Sequence, residues 1–109
     1  MRLIINTQNP SALKARIVSD VENGNLPTWE LRTNKMDDKL LTHSGEQWAD
    51  IVLLRLTPDE DKKQLLVETR YWSNTPQPSN EQRGTVLGRF CERLFVQYAE
   101  MIDSFIGKI

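Results

Sequence analysis

The sequence contains only one cysteine and one histidine among its 109 residues. A single cysteine excludes an intramolecular disulfide, which is compatible with a reducing compartment. A structural zinc site needs about four Cys or His ligands, and only His43 and Cys91 are available. A glycine-rich phosphate loop is also missing. We therefore expect no metal and no other cofactor.

Long apolar runs and an excess of one charge are missing too. No stretch approaches the ~20 apolar residues of a membrane-spanning helix, and Leu3–Ile5 is too short for the core of a signal peptide. The formal net charge of -1 and the pI of about 5.8 provide no general attraction to nucleic acid or anionic lipid. These absences predict a cytoplasmic protein without a membrane or nucleic-acid partner.

What is present is typical of one globular domain spanning residues 1–109. The composition is 39% hydrophobic and 27% charged, which is neither disordered nor membrane-like. A domain of this length buries roughly two thirds of its unfolded surface, so it needs no disulfide or metal to stabilise it.

The first part of the chain predicts a strand followed by a helix. Leu3–Ile5 is a short apolar run typical of a buried strand. Asn9 can cap a helix that has Pro10 at its first position, because proline loses no hydrogen bond there. Gly24 can adopt the left-handed conformation that ends a helix.

The middle of the chain predicts three or four strands. Pro27–Arg32 alternates polar and apolar residues, and Lys39–His43 can pair back as a short strand. Asp50–Thr57 and Gln64–Trp72 form the clearest hairpin, because Pro58–Asp61 between them is rich in turn residues.

Two capping-box patterns predict helix starts at Ser44 and Ser79, each with glutamine three residues later. The first predicts a single helical turn carrying Trp48, and the second a long helix running almost to the end of the chain. Its apolar stripe comprises Leu87, Cys91, Leu94, Tyr98, Met101 and Phe105, and is widened by Val86, Phe90, Phe95, Ile102 and Ile106. The element order predicts an α+β fold: a mainly antiparallel sheet of four or five strands with two helices on one face.

Catalytic signatures are weak. His43 with Ser44 or Cys91 would be needed for nucleophilic chemistry, but adjacent side chains seldom point at one another. Cys91 lies on the apolar stripe, where we expect a buried, unreactive thiol. Near Glu68, a nuclease strand would have lysine two residues later, whereas Arg70 cannot give up a proton. The balance favours a protein that is not an enzyme.

Two surface features are candidates for binding. Arg89 belongs to a basic patch with Arg83 and Arg93, which either binds an acidic partner or phosphate or is ordinary solvated surface. Trp72, beside Arg70, is either an exposed contact anchor or is buried under the loop that follows it.

Several short motifs resemble a small bacterial protein family whose function is not established. They are Asn9-Pro10, Thr28-Trp29, Thr42-His43-Ser44 followed by Gln47-Trp48, and Gly88-Arg89-Phe90. The chain departs from the resemblance at Leu40-Leu41, where an acidic stretch is expected. The resemblance implies no substrate, cofactor or partner. It does make His43, Gln47, Trp48 and Arg89 a candidate cluster.

Two functional classes follow. The preferred one is a small non-catalytic bacterial protein that acts through a protein partner, as immunity and regulatory proteins do. The alternative is a small enzyme or ligand-binding domain with a pocket between the sheet and the long helix, near His43 and Arg89. A pocket lined by both residues, with a perturbed histidine pKa, would favour the alternative. A flat aromatic patch would favour the partner-binding class.

The long helix also predicts a homodimer. A helix needs about 100° of apolar arc to cover a sheet, and the apolar positions of this helix spread further. Large side chains outside that arc would leave an exposed patch, which a two-fold symmetric dimer would bury. On this prediction, Phe95→Glu either dissociates the dimer or unfolds the chain.

Overall fold

The computed structural model describes all residues from Met1 to Ile109 and is an α+β fold, as predicted. The strands are β1 (Arg2–Asn6), β2 (Trp29–Thr33), β3 (Lys39–His43), β4 (Leu53–Asp59), β5 (Gln64–Arg70) and β6 (Ser104–Lys108). The helices are α1 (Pro10–Glu22) and α2 (Asn80–Gln97), with a 3-10 turn at Ala99–Met101. The six strands form one sheet in the order β2-β3-β4-β5-β1-β6, and every neighbouring pair is antiparallel.

Both helices pack on the same face of the sheet, here called the helix face. Alternate residues of β1 and β5 are buried there, because successive strand side chains point to opposite faces. Their apolar side chains join those of both helices in one core cluster. Its central members are Leu3, Ile5, Leu13, Ile17, Leu54, Leu65, Val67, Phe90 and Leu94. The other side of the sheet is called the open face.

Helix α1 begins at Pro10 as predicted, but its cap differs from the expected one. The Asn9 side chain makes no capping hydrogen bond. A carboxylate oxygen of Glu60, in the β4–β5 turn, instead accepts the Ser11 N–H at 2.9 Å. A charged acceptor at a helix N-terminus is favoured by the helix dipole. Gly24 follows the helix in the left-handed conformation, with φ of 76°.

Only one of the two predicted capping boxes forms. Ser79 accepts the Gln82 N–H at 3.1 Å, and the Gln82 side chain accepts the Ser79 N–H at 2.8 Å. Residues 45–49 form a hydrogen-bonded turn rather than a helix, in which the Gly45 carbonyl accepts the N–H groups of Trp48 and Ala49. The Ser44 N–H, which a capping box would pair with the Gln47 side chain, donates instead to the Thr28 carbonyl at 2.8 Å, and the local pattern could not anticipate this contact.

The prediction of a helix running almost to the end of the chain was wrong. Helix α2 ends at Gln97, and β6 pairs with β1 beyond the 3-10 turn. Apolar residues at 102, 105 and 106 suit a helical stripe, but Gly107 and the β-branched Ile106 are poor helix formers. Pairing with β1 supplies partners for their backbone groups. The sheet therefore has six strands instead of four or five.

No helix of the chain combines the length and the apolar character needed to cross a membrane.

Candidate functional site

His43 lies at the end of β3, on the helix face, within a group of aromatic rings. It is directly opposite Trp29 on β2. The imidazole packs edge-on against both Trp29 and Trp48, with ring centroids 5.1 Å apart in each pair. Phe90 from α2 packs edge-on against the other side of Trp29, at 5.5 Å. Strand pairing and helix packing thus hold the imidazole in one place.

A backbone hydrogen bond determines which ring nitrogen of His43 carries the proton when the ring is neutral. Its Nδ1 accepts the Gly45 N–H at 3.0 Å, so a neutral ring carries its proton on Nε2. Burial lowers the pKa of His43, and the nearby positive charge of Arg89 lowers it further. Protonation of Nδ1 would also break the bond from Gly45. The ring is therefore neutral at pH 7 and presents Nε2–H as a donor.

Gly45 is required by this packing, and we expect Gly45→Ala to disturb it. A Cβ at position 45 would lie 3.0 Å from the Trp48 ring and 3.2 Å from Nδ1 of His43. The indole has to shift, so the pKa of His43 should rise toward its ordinary value as water reaches the ring. Overpacking of this kind costs about 1–3 kcal/mol of stability. Gly88→Ala is the control, because a Cβ there meets nothing within 4 Å. Indole fluorescence and the His43 NMR titration measure the effect, and unchanged values would refute the packing.

Beside His43 lies a cleft of about 290 Å³ between β3 and α2, which we call the His43 cleft. It is lined by Thr28, Trp29, His43, Trp48, Arg89, Glu92 and Arg93. Arg89 and Arg93 are four residues apart and therefore project from one side of the helix. Both guanidinium groups are weakly engaged: Arg89 lies 3.6 Å from the exposed Glu92 carboxylate, and Arg93 lies 3.4 Å from Gln97. The cleft thus combines two arginines, a neutral imidazole and one carboxylate.

The structure brings together three residues of the predicted cluster: His43, Trp48 and Arg89. Gln47 does not line this cleft. It lies in a neighbouring polar groove, which Trp48 shares with the first turn of α2. The sequence places Arg93 in the basic patch alone, and its i, i+4 spacing from Arg89 is the signal that indicates a place beside Arg89 in the cleft.

The other two predicted binding residues, Arg70 and Trp72, lie away from the His43 cleft. Arg70 is exposed and forms an ion pair with Glu68 of the same strand, at 3.3 Å. Trp72 is partly buried and makes a small contribution to the lowered pKa of Asp50. The larger cause of that lowering is Arg32, whose Nε donates to Asp50 at 2.8 Å. Arg70 and Trp72 therefore belong with the ion pairs of the open face and do not contribute to the His43 cleft.

Cys91 is partly buried, whereas the sequence pattern predicts full burial. Burial raises the pKa of its thiol, which disfavours the reactive thiolate. Nowhere in the chain do three or more His, Cys, Asp or Glu side chains converge in a metal-binding cluster.

Comparison of the chain with protein-family models, curated proteins and solved structures finds no match. The resemblance to a bacterial family therefore rests on its short motifs alone.

Proposed function

We propose that this is a non-catalytic binding protein of the immunity or regulatory type, and that a protein partner places an acidic side chain in the His43 cleft. The observation that carries the proposal is that Arg89, Arg93 and the neutral His43 all line one aromatic-walled cleft. Arginine and tryptophan are also the residues that most often dominate the energy of protein interfaces.

The electrostatics of the cleft favour an anion. The positive charges of the two arginines exceed the single negative charge of Glu92, whose exposed carboxylate lies 3.6 Å from Arg89. A carboxylate matches the planar fork of a guanidinium group, with which it can form two parallel hydrogen bonds. The Nε2–H of His43 supplies a third donor without adding a charge. An acidic side chain would therefore find complementary donors on both walls.

The size of the cleft favours a side chain over a whole small molecule. Pockets for small molecules usually have volumes of roughly 300–1,000 Å³ and bury most of their ligand. The His43 cleft, at about 290 Å³ and with the exposed Arg89 and the partly buried Arg93 beside it, is at the lower end of that range. A protein partner can fill it with one residue and still gain contacts around the rim.

The environment of His43 argues against general base chemistry. A catalytic histidine is commonly oriented by a carboxylate that accepts its second N–H. Here Nδ1 accepts from the Gly45 backbone instead, and the charge of Arg89 opposes the imidazolium that base catalysis would form. This arrangement supports binding without chemistry.

A small-ligand site in the same cleft is the second candidate. The observation in its favour is specific: His43 and Arg89 line one pocket, and the pKa of the histidine is lowered. A pocket lined by a histidine with a perturbed pKa is typical of ligand-binding and enzymatic sites. The ligand would also be an anion, so the experiments have to separate a low-molecular-mass anion from an acidic side chain of a protein.

Anion binding is expected to raise the pKa of His43, because a bound carboxylate would offset the positive charge of Arg89. His43 is the only histidine, so its ring resonance needs no mutagenesis to assign. We expect N-acetyl-glutamate amide at millimolar concentration to raise this pKa and to shift the Trp indole resonances. N-acetyl-glutamine amide is the neutral control. An identical response to both compounds would contradict anion recognition in the cleft.

The partner itself can be sought among the products of the adjacent reading frames. We expect one of them to bind the native chain in calorimetry, and the variant carrying Arg89→Glu and Arg93→Glu to bind at least about tenfold more weakly. Lys35→Glu with Lys62→Glu is the matched control, because it makes the same charge change at exposed sites elsewhere. Undiminished binding by the arginine variant would exclude the cleft. Micromolar binding of phosphate or free glutamate, without a protein partner, would favour the small-ligand candidate.

A further inference from the structure

The two edges of the sheet differ in how they are protected from pairing with other strands. At one edge, β2 carries Arg32, which is 2.9 Å from Glu30 and 2.8 Å from Asp50. Charged side chains of this kind discourage strand addition. At the other edge, β6 reads Ser-Phe-Ile-Gly-Lys and has one charge, at Lys108. One side of β6 pairs with β1, and its other side has no strand beside it.

Exposed apolar side chains lie next to the free side of β6. Ile106 is 54% exposed on the open face, and Phe95 of α2 is 67% exposed. Phe95 packs edge-on against Phe105 of β6, with ring centroids 5.0 Å apart. Beside this pair is a mainly apolar groove of about 350 Å³ between the end of α2 and β6. Apolar surface beside an unpaired strand favours the addition of another strand.

We propose that this edge takes a second copy of the chain, with the two β6 strands pairing antiparallel about a two-fold axis at Ile106. The six-stranded sheets of the two copies then become one continuous sheet. Centring on Ile106 uses all of β6: Ser104 is opposite Lys108 of the second copy, Phe105 is opposite Gly107, and Ile106 is opposite its own equivalent.

This register makes β6 complementary to itself on the helix face. Phe105 and Gly107 both lie on that face, because they are opposite the buried Ile5 and Leu3 of β1. A Cβ built on Gly107 meets nothing within 4 Å, so there is open space above this glycine. The Phe105 ring of the second copy fills that space, and an aromatic ring packed over a cross-strand glycine compensates for the missing side chain.

The charges agree with the same register. Lys108 forms no salt bridge within its own chain. In the pair, each Lys108 lies opposite Ser104 of the other copy, next to Asp103, and the two lysines are at opposite ends of the interface. The positive end of one strand thus lies beside the negative end of the other. Like charges directly opposite each other would destabilise the pairing, and this register avoids them.

This interface replaces the one that the sequence pattern predicts along the C-terminal helix. That prediction depended on Val86, Phe95, Ile102 and Ile106; Val86 is buried in the core, whereas Phe95 and Ile106 are exposed and remain at the interface. They reach it from the end of α2 and from the adjoining strand, and the backbone of β6 supplies the principal contact.

Sedimentation equilibrium tests the oligomeric state. We expect the native chain to show a mass of twice 12.6 kDa at micromolar to millimolar concentration. Ile106→Glu places two carboxylates directly opposite each other, so the dissociation constant should rise at least about tenfold. Met36→Glu, at an 83% exposed site in the turn between β2 and β3, is the control and should leave it unchanged. A monomer throughout this range, or a dimer unaffected by Ile106→Glu, would overturn the proposal.

Disulfide trapping tests the register. In a Cys91→Ser background, Ile106→Cys should form a covalent dimer on mild oxidation, because opposite residues of paired strands have Cα atoms about 4.5–5.5 Å apart, within disulfide range. Met36→Cys in the same background should remain monomeric on a non-reducing gel. Equal crosslinking of both variants, or of neither, would overturn the β6 pairing.

Discussion

Phe90→Ala is expected to lower the free energy of unfolding by about 3–5 kcal/mol, because a fully buried aromatic ring is replaced by a cavity. Phe90 is 1% exposed and packs against Trp29, which in turn packs against His43. A typical domain is stable by only about 5–15 kcal/mol, so the loss is a large part of the total. Urea denaturation followed by indole fluorescence provides the measurement.

Val96→Ala is the control for this prediction. It shortens an apolar side chain of the same helix at a position that is 70% exposed and that the proposed β6 interface does not use. We expect it to cost less than about 1 kcal/mol, because little apolar surface is returned to solvent. Phe90→Ala should also raise the pKa of His43 toward its ordinary value, as water enters behind Trp29. Similar costs for the two variants would mean that α2 presents a different face to the sheet.

Tyr98→Phe is expected to cost about 1–3 kcal/mol, because it removes a donor from a buried carboxylate. The Tyr98 hydroxyl donates to Asp20 at 2.7 Å, which joins the residue after α2 to α1. Both side chains are buried. Tyr71→Phe removes the same atom at an exposed site without a hydrogen bond, and should change stability by less than about 0.5 kcal/mol. A cost for Tyr98→Phe no larger than that of this control would contradict the role assigned to the bond.

The same pair predicts a pH dependence. The hydrogen bond from Tyr98 is the main cause that lowers the pKa of Asp20, with Asn25 and Arg16 adding to it against the effect of burial. A carboxyl with a lowered native pKa stabilises the fold above its ordinary pKa, and this contribution disappears as the pH falls through the lowered value. The stability difference between the native chain and Tyr98→Phe should therefore be full at pH 7 and shrink below about pH 4. Denaturation curves across this range measure it, and a pH-independent difference would refute the assignment.

The elements that the sequence predicts correctly are those determined by neighbouring residues. The β4–β5 hairpin follows from two apolar arms around Pro58–Asp61, and the start of α2 from the reciprocal bonds of Ser79 and Gln82. Both depend on contacts within a few residues. The similar pattern at Ser44 fails because the Ser44 N–H, which the box would pair with Gln47, donates to the carbonyl of Thr28, a residue distant in sequence.

Whether residues 98–108 form a helix or a strand depends on contacts with residues that are distant in sequence. Their apolar spacing suits a helix, and nothing local in the sequence indicates that the outer side of β1 is free to pair. Tyr98 ends α2 with its hydroxyl on Asp20 of α1, and the chain then returns to β1, nearly a hundred residues earlier in sequence. Such pairing is decided by which backbone groups the rest of the fold leaves without partners.

The candidate site could also be predicted only in part. The sequence alone predicts the α+β class, the order along the chain of the first five strands and the two helices, and His43, Trp48 and Arg89 as residues of interest. Only the tertiary structure decided that Arg93 and Trp29 complete their cleft, that Gln47 lies in the adjoining groove, and that Arg70 and Trp72 belong to networks on the open face. The physical reason is the separation of the interacting residues along the sequence. Periodicity and capping depend on residues only a few positions apart, whereas a cleft between a strand and a helix exists only once the core between them has packed.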